Sequence, residues 1–211
     1  MQTTDLQIEI ASPSANLENI ADRAAYQPEV LRELFDGLRA DKARVKFGCL
    51  KVLRRVSEKN PAVLYSEIDR LFDLLDNENN ILKWGAIICI GNLAAVDTNG
   101  KIDRKLAKFL RPISGHVMIT AANVIGAAGK IALAKPWLAD RIARALLRVE
   151  KAKYQTAECR NVAIGHAIEA FDQFLDCVKR PAPIVNFARR QINNHRPATQ
   201  RKAVKFLKRL P

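Results

Sequence analysis

Residues 45–49 read Val45-Lys46-Phe47-Gly48-Cys49, and residues 82–86 read Leu82-Lys83-Trp84-Gly85-Ala86. The two stretches match position for position in chemical type. Cys159-Arg160-Asn161-Val162-Ala163 repeats the pattern, and Met118 to Ala122 and Thr199 to Ala203 repeat it more weakly. A small residue closes each copy, at Cys49, Ala86, Ala122, Ala163 and Ala203, spaced 37, 36, 41 and 40 residues apart. Four residues further on stand Leu53, Ile90, Gly126, Ala167 and Leu207. One small residue per helix lets neighbouring helices approach closely, and the apolar residue one turn later fills the stack. Self-similarity at this period is the signature of an α-solenoid.

The surrounding sequence agrees. Leu31, Leu34, Phe35 and Leu38 fall at i, i+3, i+4 and i+7, as do Ile68, Leu71, Phe72 and Leu75, and Leu106, Phe109, Leu110 and Ile113. No long stretch alternates at period two. Prolines 28, 61, 136, 181, 183 and 197 stand at segment edges, where a helix tolerates them because its first N–H groups have no intrahelical partner. The breaks predict helix pairs at 28–39 and 42–58, 61–75 and 78–96, 101–113 and 115–134, 136–150 and 154–178, and 181–194 and 197–210. A short helix is predicted at 15–25, after an N-terminal tail, 1–14, that need not be ordered. Residues 15–211 are read as a single repeat domain: an all-α solenoid of about five antiparallel helix pairs.

An apolar residue, then Lys or Arg, then two residues, then a small residue resembles the second helix of a HEAT repeat in the armadillo-type class. Asp41 and Asp76, just before two of these helices, are similar to that family's inter-helix turn. The resemblance runs over about 26–210. The third copy departs with Ile119, and the fifth with Gln200, where the basic residue belongs. It implies architecture more than function, since such arrays serve as scaffolds for many partners.

The chain has 211 residues, 35 Lys and Arg against 22 Asp and Glu, and a formal net charge of +13. The excess is uneven: residues 1–100 sum to −3 and residues 101–211 to +16, with ten bases and no acid after residue 178. Such asymmetry suits a polyanion or an acidic protein surface. The four cysteines, Cys49, Cys89, Cys159 and Cys177, lie in apolar helical patterns without a C-x-x-C pair, and read as buried, reduced thiols. No secretory signal or membrane span is read from the sequence, and a cytoplasmic protein is expected.

Four features mark candidate binding surfaces. The segment Gly115 to Ala134 has no charge before Lys130 and reads either as a helix buried all round or as the lining of an apolar groove, in which Asn123 needs a partner. Phe47 and Trp84 share one slot, either core or an exposed aromatic patch. Lys51 with Arg55, and Lys205 with Arg209, place bases on the end repeats. Arg201, Lys205, Lys208 and Arg209 gather near one helical face, where like charges repel unless something anionic answers them.

The leading expectation is a non-enzymatic scaffold that binds a protein partner, one with an acidic or extended segment, on the surface of the second helices. The contacts expected are Lys51, Arg54, Arg55, Trp84, Asn92, Lys205 and Arg209. The alternative is nonspecific binding of a nucleic-acid backbone by Arg189, Arg190, Arg196, Arg201, Lys202, Lys205, Lys208 and Arg209, with Asn193, Asn194 and His195 adding phosphate hydrogen bonds. The charge polarity equally fits end-to-end contact between copies.

No catalytic residue, metal or cofactor is expected. His116, His166 and His195 lie on different repeats, and His166 with Glu169 offers only two ligands. The alkylpurine DNA glycosylases built from HEAT-like repeats use concave aromatics and an acidic residue. Here Trp137 and Asp140, followed by Arg141 and Arg144, open a first helix, so that motif does not transfer and the activity ranks a remote third.

Overall fold

A computed structural model describes residues 4–210. Those residues form thirteen α-helices joined by turns and short 3-10 segments, with no strand among them. The chain divides into two compact units, Met1–Asp97 and Thr98–Pro211, where the sequence suggests one repeat domain.

The first unit holds α1 (Asp5–Ala11), α2 (Leu17–Tyr26), α3 (Pro28–Gly37), α4 (Ala43–Lys59), α5 (Pro61–Tyr65), α6 (Ile68–Asp73) and α7 (Asn80–Asn92). Residues 5–11, read from sequence as tail, are helical: Thr4 Oγ1 accepts the Gln7 N–H, and Leu6 and Ile10 are buried. Residues 1–3 of that tail lie outside the described residues. α4 is the hub, packed against α1, α2, α3, α5 and α7. Glycine permits two of these approaches. A Cβ on Gly48 would come within 2.3 Å of Ile10, and one on Gly85 within 2.4 Å of Leu50. The segment 61–75 is broken at Ser66, whose hydroxyl donates to the Val63 carbonyl at 3.1 Å and competes with helix continuation.

The second unit holds α8 (Lys101–Leu110), α9 (Met118–Ala134), α10 (Ala139–Leu146), α11 (Ala157–Phe174), α12 (Ala182–Arg190) and α13 (Pro197–Lys208). α11 lies between α9 and α13, while α8, α10 and α12 pack onto these three. The rings of Phe171, Phe174 and Phe187 fill the space around α11 and α12, with centroids 5.9 and 5.6 Å apart. Pro28, Pro61 and Pro197 are the first residues of α3, α5 and α13, and Pro136 opens the 3-10 turn before α10.

The repeat register is clearest in the second helices α4, α7, α9, α11 and α13. The seventh residue of each is Cys49, Ala86, Val124, Ala163 and Ala203, and every one is 0% exposed. The eleventh is Leu53, Ile90, Ala128, Ala167 and Leu207, all buried except the half-buried Leu207. The third repeat is therefore two residues out of the register read from sequence. Ala122 is half-buried, and Gly126 is exposed, with no atom within 4 Å of where its Cβ would stand. α9 is so rich in small residues that matching on size picks the wrong one. Corrected, the repeat spacing rises evenly: 37, 38, 39 and 40 residues.

Two further expectations change. α9 is not buried all round: Ile119 and Leu133 are 47% and 57% exposed, and Lys130 is exposed. Of the cysteines, Cys49 and Cys89 are buried, but Cys159 and Cys177 are half-buried. Burial pushes the Cys49 and Cys89 thiols up to about 12, so both stay protonated and inert.

Candidate functional site

Of the seven contacts expected from sequence, Lys51, Arg54, Lys205 and Arg209 are exposed, while Arg55, Trp84 and Asn92 are half-buried. In the first unit, Lys51 and Arg54 are exposed on α4. Arg55, beside them, donates to Glu18 at 2.5 Å. Together with Leu17 and Glu58 these residues line an open depression between α2 and α4. Lys59 joins the same cluster, 2.6 Å from Glu18 and 3.5 Å from Asp22. The two cations hold the Glu18 carboxyl below its ordinary range. Trp84 is half-buried and makes interactions of its own. Asn92 is turned inward, donating to Ser57 Oγ at 2.9 Å. Phe47 is half-buried and lines a second depression with Ile10, Pro13 and Lys51.

In the second unit the bases divide into answered and unanswered. Arg190 forms a two-pronged pair with Glu150 at 3.1 and 2.7 Å. Arg196 pairs with Glu158, Lys202 with Glu169 at 2.9 Å, and Arg209 with Asp172 at 2.5 Å. Each link joins residues 33 to 40 apart, one repeat in sequence. A base on the later helix meets an acid on the earlier one. The basic C-terminus is thus partly consumed by repeat-to-repeat pairing.

Arg201, Lys205 and Lys208 are exposed and stand in no ion pair among the described residues. They fall at i, i+4 and i+7 on α13. With Gln200, Val204 and Arg209 they line an open depression, and Val204 is 38% exposed at its centre. Arg189 is exposed and reaches only Asn186, at 3.4 Å. Of the turn residues, Asn194 is already bound internally, donating to Asn161 and Gln191 and accepting the Arg196 N–H.

The remaining candidates have structural occupations. Asn123 donates to the Ile119 carbonyl at 2.9 Å, one turn back on its own helix. His116 Nδ1 lies 3.2 Å from the Lys153 carbonyl. His166 is 3.7 Å from Glu169, and burial, with Lys202 beside it, pushes its imidazole pKa down. The Trp137 indole N–H donates to Asp103 at 2.7 Å, and Asp140 accepts the Lys179 N–H at 3.2 Å. The buried Lys135 pairs with Asp103 at 2.8 Å and lies 5.0 Å from the Trp137 ring centre. Burial alone would raise the Asp103 carboxyl, but the Lys135 ammonium and the indole outweigh it and hold it low. Among the described residues no three His, Cys, Asp or Glu side chains gather to hold a metal ion, and no helix is long and apolar enough to cross a membrane.

Comparison with solved structures gives the same architecture. A designed armadillo repeat protein in complex with the peptide (KR)4 superposes with a TM-score of 0.60 at 13% identity, covering 99% of each chain. A computationally designed armadillo repeat protein for modular peptide recognition gives 0.58 at 14%, covering 98% of this chain and 99% of that one. The fold is an armadillo-type helical repeat. A further designed armadillo repeat protein is similar at a TM-score of 0.57 and 14% identity. No protein-family model and no curated protein matches the chain.

Two features of this armadillo-type chain escaped the sequence reading. Which residues of α9 form its exposed face, Ile119 and Leu133 among them, is hidden by a composition that is apolar on every side, although an apolar lining was one of the two readings of this segment. The pairing that separates Arg209 and Lys202 from Lys205 and Lys208 depends on which acids stand one repeat earlier. Glu158, Glu169 and Asp172 were visible for that purpose, at one repeat's distance, once the register was known.

Proposed function

We propose that the chain is a non-catalytic helical-repeat scaffold that binds an acidic, extended segment of a protein partner, with the outer face of α13 as its anchor. The observation that carries this is the row Arg201, Lys205 and Lys208 beside the exposed Val204. Acids on α11 answer the neighbouring bases Arg196, Lys202 and Arg209 and leave this row without a partner. A row of like charges on a half-apolar depression is complementary to a segment that alternates carboxylates with apolar side chains. Electrostatic complementarity of this kind sets specificity and association rate. The designed neighbours that recognise peptides support use of the fold for this purpose. One of them holds a basic peptide, and the sign of charge on α13 calls for the opposite.

Polypeptide is favoured over a nucleic-acid backbone by Val204, and by Ile119 and Leu133 on α9 of the same unit. Exposed aliphatic side chains have no use against phosphates, and no exposed aromatic side chain lines the α13 depression to stack a base. The first-unit set Lys51 and Arg54 belongs to the proposed contacts as a second, independent basic patch.

The test is fluorescence anisotropy with a labelled twelve-residue peptide of alternating Glu and Leu, against the same peptide with Gln for Glu. Tighter capture of the Glu peptide, weakened about tenfold by Lys205→Gln with Lys208→Gln, supports the reading. Equal capture of both peptides, or preference for oligothymidylate, refutes it.

A further inference from the structure

The other face of the second unit carries a site that the peptide-binding reading does not use. Between α8 with the 3-10 turn at 111–114, and α10 with the turn at 147–151, lies a groove of about 430 Å³. That is within the size range of ligand sites, ~300–1,000 Å³. Its floor is apolar, with Leu110 and Ala145. Its charged residues are all arginines: Arg111, Arg141, Arg144 and Arg148 line it beside the exposed Ala107 and Ser114, with no lysine and no carboxylate.

Arg141, Arg144 and Arg148 fall at i, i+3 and i+7, so they rise along one side of α10 and its extension over roughly 10 Å. All three are exposed, and none stands in an ion pair among the described residues. The acids on these elements are already occupied. Asp103 holds Lys135 and Trp137, Asp140 holds the Lys179 N–H, and Glu150 holds Arg190 and Gln191. Three exposed guanidinium groups line one wall of a concave surface, the carboxylates of these elements are committed elsewhere, and the groove is complementary in charge to an external anion.

We propose that this groove is a second binding site, which takes a phosphorylated side chain of a partner segment and holds its phosphate with Arg141, Arg144 and Arg148. A phosphate monoester offers three acceptor oxygens and a charge of about −1.5 to −2, against two oxygens and one charge on a carboxylate. Guanidinium forks bind such oxygens in pairs, which lysine cannot do. The apolar floor takes the residues that flank the phosphorylated one. A nucleic-acid strand is the poorer fit. The cationic surface does not continue as a free track along α8: Lys101, Lys105, Lys108 and Arg111 are engaged, and Arg104 donates to the Asn99 carbonyl at 2.8 Å. No aromatic side chain lines the groove to stack a base.

The test uses the full chain and a labelled pentapeptide, Ala-Leu-phosphoserine-Leu-Ala, with its Ser and Glu counterparts and a decamer of oligothymidylate. The phosphopeptide is expected to bind at least about tenfold more tightly than the Glu form, and the Ser form not measurably. Arg144→Gln with Arg148→Gln should cost about tenfold or more, at an unchanged circular dichroism spectrum, because both side chains are exposed. Lys205→Gln with Lys208→Gln should leave this binding intact, which separates it from the α13 reading. Equal binding of the phospho and Glu peptides would overturn the proposal. So would no phosphopeptide binding up to about 1 mM, tighter binding of the oligonucleotide, or loss of binding through the α13 pair instead of the arginines.

Discussion

Val124→Ala and Gly126→Ala, two residues apart on α9, should move stability in opposite directions. Val124 is fully buried in the slot that Cys49, Ala86, Ala163 and Ala203 occupy on the other second helices. Trimming it to alanine removes two methyl groups, worth about 0.8 kcal/mol each. The unfilled space brings the loss to about 2 kcal/mol. Gly126 is helical and exposed, and a methyl group there meets nothing within 4 Å. Alanine is the better helix former by about 0.8–1 kcal/mol, so this substitution should stabilise by about that much.

The assay is urea unfolding followed by fluorescence in a Trp84→Phe background, where Trp137 reports on the second unit alone. For a unit of this size the valine variant should lower the midpoint by about 1 M, and the glycine variant should raise it by about half as much. In the register read from sequence, residue 126 would be the packed position and residue 124 an outer one. A destabilising Gly126→Ala with a silent Val124→Ala would show that the repeat alignment given by burial is wrong.

Other perturbations test the packing and the charges. Lys135→Met leaves Asp103 without its ammonium partner and should cost about 3 kcal/mol in the second unit's unfolding free energy, whereas the exposed pair Lys202–Glu169 should be worth no more than ~1 kcal/mol. In the native state Cys159 and Cys177 should react with iodoacetamide well before Cys49 and Cys89, as read by mass spectrometry of quenched samples. His166 has its folded pKa below the ordinary 6.5, so the unfolded chain binds the proton more readily. Its contribution to stability is complete above that value and is lost as pH falls below it. His166→Gln should therefore flatten the pH dependence of the urea midpoint just under pH 6.5.

The architecture was legible because its cause is local. A small residue once per helix, an apolar residue one turn later and prolines at helix starts each follow from backbone and packing geometry, and they recur with the repeat. The boundaries of α4, α7 and α13 follow from those signals within a few residues. The register of α9 was not legible, because Ala121, Ala122, Gly126, Ala127, Ala128 and Gly129 offer several equally small candidates, and only burial selects Val124 and Ala128. α1 was missed because its Leu6 and Ile10 are too few to show a period on their own. They become a helix by packing on α4 at Gly48.

At the candidate site, sequence placed Lys205 and Arg209 on one face of α13, as found. It did not separate them, since Arg209 is answered by Asp172, 37 residues earlier, and Lys205 is not. Net charge likewise pointed to the second half of the chain without resolving its two basic regions. The depression on α13 and the groove between α8 and α10 involve different helices, and residue spacing along one helix carries no sign of a groove formed by two.

The most direct test of the central claim is the affinity of the Glu–Leu peptide for the full chain and for its Lys205→Gln, Lys208→Gln variant, measured at two salt concentrations. Binding that weakens about tenfold in the variant and falls with added salt is the result expected of an acidic segment anchored on α13. Binding that is unchanged by the two substitutions would contradict it.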